Sequence, residues 1–153
     1  DLSPAAFFGL LLSLEMAVAL LVMAPAAKAA ERVGLKPVVA LGFAVYALVP
    51  LLLTAAPPTA LAMVLVFAFS GLRFAGLPAH KALIVGPAEA NAGGRVTGSY
   101  YLLRNTVVVP SAALGGYLWE FVSPEVAFTL AAAIGLLGTG YFVVLGEEFE
   151  AYR

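Results

Sequence analysis

Twenty consecutive residues of this chain, 37–56 (PVVALGFAVYALVPLLLTAA), carry no charged side chain. Four further segments of similar or greater length are nearly as apolar. A helix needs about 20 predominantly apolar residues to cross the hydrocarbon of a bilayer. Five such segments in 153 residues leave little polar surface with which to cover a water-soluble globule. Composition agrees, with 63% hydrophobic and 11% charged residues, where soluble domains run at about 45–50% and about 25%. Mean hydropathy is +1.02. The sequence therefore predicts an all-α membrane protein with transmembrane helices over about 4–30, 37–56, 60–85, 95–121 and 125–146.

The punctuation between these segments fits helix ends. Pro4 and Pro37 fall in first turns, where a missing N–H costs nothing, and Gly34 is a natural terminator. Pro25 and Pro50 are expected to bend the first and second helices. Gly71, Gly76 and Pro78 should break up the third. TAAPPT (54–59) and GPAEANAGG (86–94) read as connections. In the last helix Ala127, Ala131, Gly135 and Thr139 recur at every fourth position, a small-residue ladder that lets membrane helices approach closely.

Several function classes drop out. Net charge is −1, which gives nucleic-acid binding no electrostatic basis. Cysteine is absent and histidine occurs once, so the usual thiolate and imidazole metal sites are not expected. No glycine loop with a phosphate-binding lysine is present, and the spans lack the His, Asp, Glu or Cys cluster that a membrane enzyme needs. Neither a cofactor nor an enzymatic activity is expected.

What remains is a few charges at membrane depth. An ionisable group inside a span is costly unless paired or hydrated, so each is a candidate functional residue. Glu15 lies about 11 residues into the first helix, ~16 Å by helical rise and close to the midplane. It is a candidate to bind a proton or a cationic substrate; the alternative is a structural ion pair with Arg73 or Arg104. Arg73 shares a stripe of the third helix with Ser70, Leu77 and His80. It is a candidate to hold an anionic substrate or the Glu15 carboxylate, against a snorkelling or packing role. Arg104 lies ~13 Å into the fourth helix, which favours gating contacts over substrate contacts. Asn105 and Tyr101 beside it are candidates to hydrogen-bond substrate, or to hold helices together. His80 falls near a membrane surface, with solvation or helix capping weighed against pH sensing.

Charge also orients the chain. Lys28, Arg32, Lys36, Lys81, Arg95 and Arg153 fall on the side reached after the first, third and fifth spans, and the opposite side has no lysine or arginine. Because Lys/Arg excess marks the cytoplasmic face, the expected location is the plasma (inner) membrane, multi-pass, with the N-terminal end outside and the C-terminal end inside. Trp119, near the outer end of the fourth helix, suits an interfacial aromatic belt.

Two stretches carry a family resemblance. AERVGLKP (30–37) resembles the acidic–Arg–x–Gly–x–Lys/Arg loop of major facilitator superfamily transporters. GGRVTGSYYLLRN followed by PSAALGGYLWE resembles the family's eleventh helix. Two departures stand out: Pro110 precedes Gly115 and Gly116 by two residues more than the family pattern, and Lys36 is followed by Pro37 rather than a second basic residue. The resemblance implies that the five spans are similar to helices eight to twelve, part of a six-helix half-bundle. It also implies that the chain belongs to a longer protein whose N-terminal half is its partner, alongside the lipid bilayer and a small-molecule substrate.

On this resemblance the eighth, tenth and eleventh helices face the central cavity while the ninth and twelfth support them. That matches the charges, present in the first, third and fourth spans and absent from the second and fifth. Glu31, Arg32, Gly34 and Lys36 then form a cytoplasmic gating loop, and Pro110, Gly115 and Gly116 serve as hinge or packing sites. The implied activity is secondary active transport by alternating access, with proton coupling as a candidate. The rival is a non-transporting assembly protein on the same bundle, whose charges would pair off in a dry interior.

Overall fold

Ser3, Thr59 and Ser123 each accept the backbone N–H three residues on, at 3.2 Å. These side-chain caps satisfy amides that have no partner inside the helix, and they fix where three of the helices begin. The computed structural model describes residues 3–88 and 92–147. Residues 89–91 of the expected connection and most of the polar tail, including Arg153 from the charge count, lie outside the described residues.

Among the described residues there is no strand. The helices are α1 (Pro4–Val33), α2 (Leu35–Ala55), α3 (Ala60–Gly71), α4 (Leu77–Val85), α5 (Gly93–Phe121) and α6 (Pro124–Leu145), with a 3-10 segment, Leu72–Gly76, joining α3 to α4. The expected third helix is thus one span in three pieces, broken where its glycines predicted. Pro25, Pro50 and Pro110 lie inside helices that run on through them.

The expected gating loop is far shorter than the motif suggests. Glu31 and Arg32 belong to the last turn of α1 and Lys36 to the first turn of α2, so Gly34 alone separates the two helices. Gly34 has φ 95° and ψ 164°, backbone space open in practice to glycine only. Its N–H donates to the Ala30 carbonyl at 3.0 Å and closes α1.

Around this joint lies a buried apolar cluster, Ala30, Leu35, Val38, Val39 and Ala79, with Phe43 and Phe142 packed against it. Elsewhere large apolar side chains point outward: Leu20, Leu21, Leu137 and Val144 are each at least 73% exposed. Water does not tolerate so much contiguous apolar surface on a stable monomer, whereas lipid does. Among the described residues four helical stretches are long and apolar enough to cross a membrane: Pro4–Val33, Leu35–Ala55, Ala60–Val85 and Pro124–Leu145.

α5 differs from the other spans. At 29 residues it is long enough, but Arg95, Thr97, Arg104, Asn105 and Thr106 make it less apolar than the four. None of its side chains is buried.

The second span is the most widely packed of the bundle. α2 packs against α1, α3, the 3-10 segment, α4 and α6, most extensively against α6. It also contributes seven buried residues, more than any other helix. Small residues permit this. A methyl added at Gly135 of α6 would come within 2.7 Å of the Ala47 side chain, so this member of the predicted ladder meets α2.

Candidate functional site

Backbone proximity comes first in this site. A Cβ built on Gly71 would lie 2.7 Å from the carbonyl oxygen of Glu15 and 2.7 Å from the Val18 side chain. Only a residue without a side chain lets α3 sit so close to α1. One turn further on, a Cβ on Gly42 would meet the Arg73 carbonyl at 3.2 Å, and one on Gly76 the Val38 carbonyl at 3.0 Å. The 3-10 segment is thereby clamped between α1 and α2, with Arg73 in its middle.

This clamp brings Glu15, Ser70 and Arg73 together. The carboxylate of Glu15, only 4% exposed, accepts a hydrogen bond on Oε1 from the Ser70 hydroxyl, and Arg73 Nη2 forms an ion pair with the same oxygen at 3.0 Å. Ser70 in the last turn of α3 and Arg73 in the 3-10 segment are three positions apart, close to one turn, so both face the same side; this is why they reach the same oxygen. The Arg73 guanidinium also lies 4.9 Å from the Phe74 ring centroid and 5.1 Å from that of Tyr46, both cation–π distances. Its Nε is buried without a hydrogen-bond partner. Of the two arginines offered by the sequence, Glu15 therefore pairs with Arg73.

Arg73 opens onto a cavity of about 560 Å³. One wall is a stripe of α2, Val39, Gly42, Phe43 and Tyr46. The second is the 3-10 segment with Leu77 and His80 of α4, and the third is Tyr100 and Arg104 of α5. Tyr100 and His80 close a corner, with the hydroxyl 3.0 Å from Nε2 and the His80 ring edge-on to both Phe43 and Tyr100.

The other sequence candidates are distributed around this cavity. Arg104 lines it, exposed, donating to Asn105 Oδ1 at a long 3.4 Å. No carboxylate among the described residues pairs with it. Asn105 and Tyr101 do not line the cavity; Tyr101 stacks edge-on against Tyr100. Glu15 and α1 do not line it either; its walls belong to the second, third and fourth spans. Glu15 lies buried behind Arg73, where Gly71 lets α3 close on α1. Phe43, Tyr46, Phe74 and Tyr100 escaped the sequence reading because an aromatic residue in an apolar helix looks the same whether it faces lipid or a cavity.

Glu31 and Arg32 are exposed at the end of α1, and Lys36 is half-buried beside Gly34. The space beside Gly115 and Gly116 is open to 4 Å, so the described residues pack against neither. No group of three or more His, Cys, Asp or Glu able to hold a metal occurs among the described residues.

In comparison with known proteins, the family model described as Major Facilitator Superfamily matches residues 1–151. No curated protein and no solved structure matches the chain.

Proposed function

Because the chain belongs to the major facilitator superfamily, we propose that it supplies helices eight to twelve of a secondary active transporter that moves a small solute by alternating access. The observation that carries this reading is the cavity. Two arginines, Arg73 and Arg104, line a space of about 560 Å³, within the range of about 300–1,000 Å³ usual for small-molecule sites. A non-transporting assembly protein would have its charges paired in a dry interior. Here one arginine has no acidic partner among the described residues, and the other is paired yet still reaches the cavity.

In this reading the N-terminal half of the same transporter covers the cavity and the open side of α5, which would be the fifth crossing. The two halves rock about a site near the midplane. Ser70, Glu15 and Arg73 form the charged centre of the half-bundle, with Glu15 positioning Arg73 and serving as the candidate proton carrier. Arg104, with Asn105 and Tyr101 beside it, sits where the halves would meet. Glu31, Arg32, Gly34 and Lys36 act as the cytoplasmic latch, and Pro110, Gly115 and Gly116 pack against the other half. Lys28, Arg32, Lys36, Lys81 and Arg95 then face the cytoplasm at the inner membrane, as the Lys/Arg excess favours.

The test uses the complete protein in proteoliposomes, screened for flux of labelled organic acids, sugars and amino acids with and without an imposed proton gradient. Solute accumulation that collapses with a protonophore, and is lost in Glu15→Gln, is the expected result. Accumulation in the variant that still follows the gradient would remove Glu15 from coupling. No flux of any solute, together with stoichiometric co-purification of another membrane protein, would replace the transporter reading with the assembly one.

A further inference from the structure

We infer that the cavity takes an organic monoanion with a flat apolar body, an aromatic carboxylate being the class that fits; this deepens the carrier reading and rests on it. Charge is the first argument. Three ionised side chains belong to the site, but Glu15 is committed to Arg73 at 3.0 Å. The Arg104 guanidinium is left with an amide oxygen at 3.4 Å as its partner and no carboxylate among the described residues. Among the described residues the site thus carries one positive charge without a carboxylate partner, which one carboxylate of a solute would balance. A dianion or a cation would each leave a net charge against these walls, where interactions between charges strengthen as water is excluded.

Shape is the second argument. Phe43, Tyr46, Phe74 and Tyr100 surround the cavity, and on the α2 side the wall is flattened by Gly42 lying against Gly76. Aromatic rings pack edge-to-face or offset on one another with a gain beyond their area, so these walls select a ring. A sugar needs many hydrogen-bond partners, and the polar groups here are few: the two guanidinium groups, the Tyr46 hydroxyl and the His80–Tyr100 pair, whose Nε2 and hydroxyl already engage each other. A guanidinium presents two parallel N–H groups to a carboxylate, which lysine does not.

The experiment is calorimetric titration of the complete, detergent-purified protein with 1-naphthoate, its neutral isostere 1-naphthamide, the cation 1-naphthylmethylammonium, and acetate. Naphthoate should bind about ten- to hundredfold more tightly than naphthamide, the difference a charge-assisted hydrogen-bonded pair makes. Acetate and the cation should bind far more weakly. In Arg104→Gln the naphthoate preference should vanish, and Arg104→Lys should restore only part of it. Equal binding of naphthoate and naphthamide by the unaltered protein overturns the inference without any variant, as does a full preference retained in Arg104→Gln. Naphthoate binding without naphthoate flux in proteoliposomes would count against the carrier reading alone. Flux of another solute without naphthoate binding would count against the substrate class alone.

Discussion

The Arg73 guanidinium meets the Glu15 carboxylate at 3.0 Å across two helices, but only the arginine reaches the cavity. The acid is buried behind it, where Gly71 lets α3 close on α1. Glu15 thus acts on the cavity through Arg73, and any change in its charge is felt first as a change in how firmly Arg73 is held.

That coupling is measurable. Glu15→Gln and Arg73→Gln should each destabilise the complete protein, because a lone charge at membrane depth costs about 2.5–3.5 kcal/mol and a buried charge stripped of its partner is strongly unfavourable. The double variant should recover part of the loss, with an interaction energy of about 0.5–3 kcal/mol. Thermal unfolding in detergent provides the cycle, and strictly additive losses would mean that the two side chains do not interact.

Gly71→Ala should cost about 1–3 kcal/mol by overpacking, since its new methyl falls 2.7 Å from the Glu15 carbonyl and from Val18. Gly138→Ala on α6, where nothing lies within 4 Å, should be neutral or slightly stabilising, since alanine favours a helix over glycine. Comparing the two melting temperatures checks the approach of α3 to α1, and equal effects would contradict it.

The sequence made the spans legible because an apolar run of twenty residues has few alternatives. It marked Glu15, Ser70 and Arg73 because charge and hydroxyl at membrane depth are conspicuous. It did not say which arginine Glu15 meets, since relative depth between helices is set by packing, here by glycines at 42, 71 and 76. It also did not promote α2 to a cavity wall. Charge was the marker for the cavity, and Phe43 and Tyr46 carry none.

Tyr100→Phe should lose the hydrogen bond to His80 Nε2, 3.0 Å long in the present structure. The expected cost is about 0.5–1.5 kcal/mol, rising if the imidazole is left unsatisfied. His80→Phe/Tyr100→Phe should sit closer to the unaltered protein than that single change implies, because both polar partners are replaced together while the ring contacts to Phe43 remain available. A double variant that melts below both singles would show that the pair contributes through ring packing rather than hydrogen bonding.

On α6, Gly135→Val should separate that helix from α2, since even a methyl would fall 2.7 Å from the Ala47 side chain. Gly138→Val, three residues on and open to 4 Å, provides the matched control with the same propensity change. Gly135→Val should therefore melt below Gly138→Val in detergent; equal melting temperatures would place α6 elsewhere.

The single-glycine joint at Gly34 has a mechanical consequence. One residue supplies two soft torsions, so the spacing between the ends of α1 and α2 has almost no slack, while their angle retains some play. A displacement of the Glu15 helix at this end must therefore draw with it the helix that bears Phe43 and Tyr46, tying the mouth of the cavity to its charged rear as two arms of one elbow.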